Sequence, residues 1–388
     1  MIIFLIKCIL GKYDKIYLSV YRIDFEFIRK TFYEDNCPKK IHVFLNFSSN
    51  TFKEEKNLHF FVDDFFFIKF LKSNSIREFK TKLINLINLI FLKILVSYGR
   101  YKAIISGSTG MVPFHKKPNK LHIHLVHSMS SLHTIYYSNS FYFYDYLFLV
   151  NNKQIDELKK LKEKDKQIKA LGIKMGYSDF EYYDYKKVDR NNIRILIAPS
   201  WFHSKQFLFI LENYILRNIS NLNSIKSVII RPHPGYSPNE IVQLKKIINK
   251  FKRKKIFLSN NLKVQEDFKE SDLMITDSSG VGIQFALQKL APSFFIIDGD
   301  RKQNNHFFIN SNILSLERDL IHNFGKKISF KNKKNKLYDE ISNYINSRRK
   351  QLIWKKRLEK SKSIYLEDSR YFGRKSNLAI NELIAKNS

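Results

Sequence analysis

Cysteine is nearly absent. Cys8 and Cys37 are the only two in 388 residues, far apart and outside any metal-ligand spacing. A disulfide framework and a structural zinc site are therefore not expected, which fits a reducing cytosol. Long apolar runs are missing as well. Crossing a bilayer takes about 20 apolar residues. The most hydrophobic window, Leu83 to Tyr98, is interrupted by Asn85, Asn88 and Lys93. It reads as a buried helix, with an amphipathic helix on a membrane surface as the rival. Met1 to Ile6 is apolar, but Lys7 breaks it and no small-residue cleavage site follows, so no signal peptide is expected. Three motifs are also missing: the Walker A loop, the Gly-x-Gly-x-x-Gly fingerprint and the Gly-x-Ser-x-Gly elbow. Nucleophilic-serine chemistry has correspondingly little support.

Acidic residues are scarce beside basic ones: 36 Asp and Glu against 68 Lys and Arg, a formal charge of +32. Such a field favours polyanions, whether nucleic acid, anionic lipid headgroups or a phosphate-rich substrate. The chain is also crowded with Lys, Ile, Asn, Phe and Tyr, a profile that biased base composition produces, so part of the excess carries no message about partners. A hydrophobic content of 44% describes a folded chain, and its length fits two α/β domains.

In the first half, buried strands are expected at Lys15 to Tyr21, Ile41 to Asn46, Leu58 to Val62, Ala103 to Ser106, Leu121 to Val126 and Tyr146 to Val150. Each is rich in β-branched or aromatic residues and most end in polar or turn residues. A charged helix covers Lys153 to Ala170. The aperiodic stretch Ser178 to Asn192 marks the boundary between an N-terminal domain, 1–185, and a C-terminal one, 186–388, whose last helices cross back to the first. The second half alternates more regularly. Strands are expected at Arg194 to Ala198, Ser227 to Arg231, Lys255 to Leu258, Leu273 to Thr276 and Ser293 to Ile297, with helices between them. Lys326 to Lys336 reads as a solvated loop, and Leu337 to Ile364 and Asn377 to Ala385 as helices. Repeated strand–helix units imply parallel sheets with right-handed crossovers, whose ligands sit beyond the carboxyl ends of the strands.

Three polar turns fall at such strand ends. The most informative is Asp277-Ser278-Ser279-Gly280-Val281-Gly282, placed between the apolar run Leu273 to Thr276 and a helical pattern. Strand, small polar turn and helix aim free N–H groups at an anion. The serines add hydroxyl donors, and the glycines let a phosphate approach the main chain. The second turn is Arg231-Pro-His-Pro234, where two prolines stiffen the chain around His233. Arg231 suits a bidentate phosphate contact, and His233 a donor or acid–base role; the plainer alternative is a rigid turn whose His caps neighbouring backbone. The third, Pro199-Ser200-Trp201, offers a hydroxyl and an aromatic wall for a base, or simple packing. In the first half, His122 and His124 alternate with apolar residues and His127 lies at the strand exit, with His133 reading as polar helix surface. No acid lies nearby in sequence, which argues against a metal site. His127 facing the cleft between domains is the preferred reading.

Taken in order, these residues resemble the CDP-glycerol glycerophosphotransferase family, the teichoic acid and capsule polymerases with a GT-B-type fold. The counterparts are Val126-His127-Ser128, Gly176-Tyr177-Ser178, Ala198-Pro199-Ser200-Trp201, Arg231-Pro232-His233-Pro234 and Ile275-Thr276-Asp277-Ser278-Ser279-Gly280. The resemblance covers roughly residues 100 to 300. It implies two Rossmann-like domains facing a cleft, with His127 and His233 as catalytic groups. One would be the base on an acceptor hydroxyl and the other would stabilise the donor pyrophosphate. It implies that Ser279 and the Gly280 amide hold the donor phosphates, with Arg231, Asp277, Ser278, Ser200 and Trp201 around them. No metal and no cofactor beyond the nucleotide-linked donor are implied. The partners would be CDP-glycerol, a polymer or lipid-linked acceptor and the anionic inner face of the cell membrane, with no specific nucleic acid. The chain departs from the family pattern at Val126, Ser128 and Gly280, and at Gln284 or Phe285 in place of an acid. Another CDP-linked polyol or a nucleotide sugar such as CMP-Kdo also suits the scaffold, as does an inactive relative.

Overall fold

A computed structural model describes residues 10–19, 22–45, 58–61, 90, 93–95, 97–107, 120–136, 138–200, 204–222, 224–251, 255–261, 263–297, 321–331, 336–366 and 369–387. Trp201, Met1 to Ile6 and most of the Leu83 to Tyr98 window lie outside them. Among the described residues, strands form two sheets, and every recorded strand pair is parallel. The first has the order β3-β2-β1-β4-β5-β6-β7. Its strands are β1 Lys15–Ser19, β2 Lys40–Leu45, β3 Leu58–Phe61, β4 Ala103–Ser106, β5 Leu121–Leu125, β6 Tyr146–Leu149 and β7 Leu171–Lys174. The second has the order β10-β9-β8-β11-β12-β13. It contains β8 Ile193–Ile197, β9 Ile225–Ile230, β10 Ile256–Leu258, β11 Leu273–Thr276, β12 Ser293–Ile296 and β13 Gly325–Ile328.

Both orders wind outward in two directions from the first strand, so each sheet has a switch point where neighbouring crossovers part company: β1/β4 in the first, β8/β11 in the second. Helices cover the faces, which is why the central strands other than β5, with its alternating histidines, read as near-continuous apolar runs. All of β4, β5, β11 and β12 is buried.

Besides a single turn at Leu132–Ile135, helices among the described residues include α1 Arg22–Glu34, α2 Asn152–Lys164, α3 beginning at Ser204–Ile210, α4 Pro238–Lys250, α5 Val264–Lys269, α6 Gly280–Lys289, α7 Lys336–Ile345, α8 Arg348–Leu366 and α9 Phe372–Asn387. Local chemistry sets their starts. Ser237 accepts from the Glu240 N–H (3.3 Å) while the Glu240 carboxylate accepts from the Ser237 N–H (2.6 Å), with Pro238 in the first turn. Asn151 caps α2 by accepting from the Gln154 N–H at 3.1 Å. The chain's last helix returns to the first sheet. The Asn377 side-chain amide donates to the Thr31 carbonyl at 2.8 Å, and the Tyr17 hydroxyl lies 3.2 Å from Asn377 Oδ1.

Several sequence expectations need correction. The helix expected to run to Ala170 ends at Lys164, and β7 follows, because Asp165 turns the chain and its side chain accepts from the Gln167 N–H. Lys326 to Ile328 is not loop but part of edge strand β13, whose Lys326 and Lys327 point outward while Ile328 is buried. Leu337 to Ile364 is two helices, broken at Asn346 and Ser347. The final helix starts five residues earlier than expected, at Phe372.

Candidate active site

The second sheet's switch point gathers the second-half turns. Strands β9, β8 and β11 are consecutive neighbours, so their exits, carrying His233, Ser200 and Asp277, stand side by side. Across β8 and β11 the Asp277 carboxylate accepts from the Ser200 N–H at 2.9 Å and from the Ser200 hydroxyl at 2.6 Å. These charge-assisted bonds lock the two loops together. Ser279 is the N-cap of α6 and is 7% exposed; its hydroxyl accepts from the Val281 N–H at 3.4 Å. Ser278 and Gly280 are half-buried beside it. The first turn of α6 thus has the local form of an anion seat: a polar turn, a capped helix start and glycine at the first helical position.

Arg231 is placed differently from expectation. Its Nη1 donates to the Asp267 carboxylate at 2.6 Å, to the Asn261 carbonyl at 2.9 Å and weakly to Ser259 and Lys263. Asp267 is fully buried and also accepts from Ser259 and from the Asn261 side chain. A buried carboxylate needs such a cation, so this nitrogen holds the β10–α5 loop. His233 does cap neighbouring backbone, accepting the Gly235 N–H on Nδ1 at 3.0 Å. That bond puts the proton of the neutral ring on Nε2, which is then the ring's donor.

From the first sheet comes the exit of β5. His127 is half-buried, and its Nδ1 lies 3.3 Å from the Tyr136 hydroxyl. The loop behind it is tightly held by α2. The Gln154 amide donates to the carbonyls of Ser128 and Ser130, both at 2.8 Å, and its oxygen accepts from the Val150 N–H at 2.9 Å. Glu157 accepts from the N–H groups of Leu132 and His133, both at 3.0 Å, and from the His133 ring. His133 is therefore not helix surface but 1% exposed and paired with a buried acid. Sequence separation hid that partner, as it hid Asp145, which accepts from the His122 N–H at 2.8 Å. Even so, among the described residues no group of three or more His, Cys, Asp or Glu side chains is gathered as a metal site would need.

The two halves of the site touch. A Cβ placed on Gly280 would lie 2.6 Å from Ser130 Oγ and 3.2 Å from Ser128 Oγ. The loop carrying His127 therefore rests on the first turn of α6. Glycine at 280, where the family pattern has serine, is what lets the loops come this close. A third segment ties them. Gly176 adopts φ +91°, a conformation that glycine takes without steric cost. The buried Tyr177 hydroxyl that follows lies 3.4 Å from both the His127 carbonyl and Gln284 Oε1. Burial, with a smaller contribution from Asp179, raises the Tyr177 pKa well above its ordinary value, so it remains a neutral donor. Gln284 in turn donates to the Asp179 carbonyl at 3.1 Å. An acid here would lose that bond, which accounts for the amide at this position. Tyr136, Gln154, Glu157 and Tyr177 were not singled out as site residues from the sequence; only Tyr177 left a signal, its place in the Gly-Tyr pair.

A separate cavity of about 150 Å³ lies among Phe294, Tyr344, Trp354 and Lys326. It opens near the amino ends of β12 and β13, the opposite edge of the sheet from these loops.

No family model matches the chain, and no curated protein matches it in sequence. Solved structures do match over nearly its whole length. The wall teichoic acid polymerase TagF superposes with a TM-score of 0.58 at 15% identity, covering 97% of this chain and 90% of that one. The UDP-GlcNAc 2-epimerase from Neisseria meningitidis, solved with UDP-GlcNAc, gives 0.54 at 12% identity, over 96% and 99%. The S. aureus MnaA–UDP structure gives 0.55 at 13%, over 93% and 94%. The chain has a GT-B-type fold. At these identities the likeness concerns architecture, and chemistry must be argued from the site.

Proposed function

We propose that this protein is a GT-B transferase that takes a nucleotide-activated donor, moving a glycerophosphoryl group from CDP-glycerol to a surface polymer or lipid-linked acceptor. The observation that carries this reading is the contact of the His127 loop with the Ser279–Gly280 turn. It sets the loop that carries a half-buried imidazole against the start of α6, at the carboxyl ends of two parallel sheets. The donor diphosphate would lie against Ser278, Ser279 and the Gly280 N–H, with Asp277 and Ser200 holding the seat open. His127 would take the proton of the acceptor hydroxyl as it attacks the transferred phosphorus. His233, donating from Nε2, would offset charge building on the departing nucleotide phosphate. None of these steps needs a cofactor. The neighbours solved with UDP and UDP-GlcNAc, and the polymerase neighbour, support a nucleotide-linked donor.

Among the described residues no helix is long and apolar enough to cross a membrane. Helix α8 carries Arg348, Arg349, Lys350, Lys355, Lys356, Arg357, Lys360 and Lys362, together with exposed Leu352, Ile353 and Ile364. That mixture suits the surface of an anionic bilayer, and it supports a cytoplasmic, membrane-peripheral protein.

Calorimetric titration with CDP-glycerol, UDP-GlcNAc and CMP-Kdo tests the donor. Binding of CDP-glycerol alone supports the reading as stated. Preference for UDP-GlcNAc or CMP-Kdo turns it to a glycosyltransferase, and binding of none refutes nucleotide use. His233→Ala is expected to remove turnover while leaving the unfolding midpoint near that of the parent; parental rates would take His233 out of the mechanism.

A further inference from the structure

Behind His127 lies a chain of hydrogen bonds whose polarity can be worked out from one end. His124, fully buried on β5, places Nδ1 3.1 Å from the Ser106 carbonyl. A carbonyl only accepts, so Nδ1 carries a proton. The ring is neutral, since burial first and the neighbouring His127 second lower its pKa to about 3. Its Nε2 is then an acceptor, and 3.5 Å from it stands the Tyr136 hydroxyl. Tyr136 is 2% exposed and wedged between the two imidazoles, edge-on to His124 and to His127 with ring centroids 5.6 and 5.7 Å away. With its single proton turned to His124, the Tyr136 oxygen presents lone pairs to His127 Nδ1 at 3.3 Å. The reverse polarity would set the His124 Nδ1 lone pair against the Ser106 carbonyl oxygen, or leave two lone pairs facing at Nε2. Either puts two buried acceptors against each other.

We propose that His124 and Tyr136 form a relay from the Ser106 carbonyl that fixes His127 in the tautomer protonated on Nδ1, so that its Nε2 offers a lone pair to the acceptor hydroxyl. This rests on the reading of His127 as the base. Tyr136 and His124 are positioning residues: they touch no substrate and act through His127 alone. The relay runs from the first sheet's switch strand, β4, through β5 to the His127 loop. It is built into the fold, and the base is oriented before any ligand arrives. Fixing which nitrogen carries the proton matters because an imidazole presenting N–H to a hydroxyl cannot accept from it.

Two readouts test it on the full chain labelled with ¹⁵N-histidine. Long-range ¹H–¹⁵N spectra, assigned with His127→Asn, are expected to show His127 as the Nδ1–H tautomer in the parent. His124→Leu removes the acceptor, frees the Tyr136 proton to turn toward His127, and is expected to switch that ring to Nε2–H although neither His127 nor Tyr136 has changed. Tyr136→Phe keeps the ring packing and is expected to give a mixture. With CDP-glycerol as donor, His124→Leu is expected to lose about ten- to a hundredfold in kcat, a share of the ~10²–10⁴ that a positioned base contributes, and Tyr136→Phe, which keeps part of the competent tautomer, about two- to fivefold, with donor KM little changed in both. An Nε2–H tautomer in the parent, or a tautomer unaltered by both variants, overturns the relay. If the tautomers behave as expected but His127→Ala turns over at the parental rate, the relay stands and the base assignment falls.

Discussion

Replacing Gly280 by alanine probes the contact on which the site depends. The new methyl would sit 2.6 Å from Ser130 Oγ and 3.2 Å from Ser128 Oγ. The nearer distance is about 0.8 Å inside ordinary contact, deep in the repulsive wall of a carbon–oxygen pair. Two terms oppose. Alanine gains up to about 1 kcal/mol over glycine in a helix, less in its first turn. Overpacking a buried contact costs about 1–3 kcal/mol. Ser130 is 2% exposed and its backbone carbonyl is held by Gln154, so the loop yields chiefly by turning the Ser130 hydroxyl. The overpacking term then lies near its lower end, and the net cost is about 0.5–1.5 kcal/mol, or roughly 2–5 °C in unfolding midpoint for a lobe of this size. Ser130→Ala removes the obstructing oxygen. In a double-mutant cycle the pair should therefore couple by at least about 0.5 kcal/mol, the double variant recovering most of what Gly280→Ala loses. The assay is thermal unfolding of the four proteins, followed by nucleotide titration. Additivity within about 0.3 kcal/mol would mean that the two loops do not meet. The proposed site would then lose the contact that carries it.

The remaining expectations concern stability and binding. Arg231→Ala leaves the buried Asp267 carboxylate without its cation and should cost about 3 kcal/mol in urea unfolding; a change under about 0.5 kcal/mol would show that the β10–α5 loop does not need it. His124 has a folded pKa depressed to about 3 from the 6.5 of an exposed imidazole. Below pH 6.5 the unfolded chain takes up a proton that the folded one refuses. Stability should fall with decreasing pH by about 1.4 kcal/mol per unit from this group, down to about pH 3. His124→Leu should flatten that part of the profile, and an unaltered slope would contradict the buried neutral ring. Ser279→Ala should weaken donor binding by about 1–3 kcal/mol if the hydroxyl meets a charged oxygen, while the lost cap lowers stability by about 1 kcal/mol. Unchanged affinity would place the phosphates elsewhere.

Periodicity and strand-end chemistry made much of the architecture legible. The strands expected at Leu121, Arg194, Ser227 and Leu273 formed as parallel strands within a residue or two of their expected bounds, because strands covered on both faces stay mostly apolar. The failures share a cause. Strand β7 is short and edge-placed, with Leu171 exposed, and β13 carries two lysines outward, so neither shows an apolar run. Their pairing with β6 and β12 comes from position in the sheet, not from composition.

For the candidate site, the sequence by itself determined the three polar turns, the strand ends that carry them and the stiff Arg231-to-Pro234 segment. These depend on residues adjacent along the chain, where Gly, Pro and Ser act locally. Tertiary structure alone decided the partners: Arg231 committed to Asp267, His133 to Glu157, and Gln154 to the His127 loop. It also joined His124 to His127 through Tyr136. Hydrogen bonds and buried charges are satisfied across space, between residues tens of positions apart, and no local pattern records which donor a given acceptor will meet once the sheets have closed.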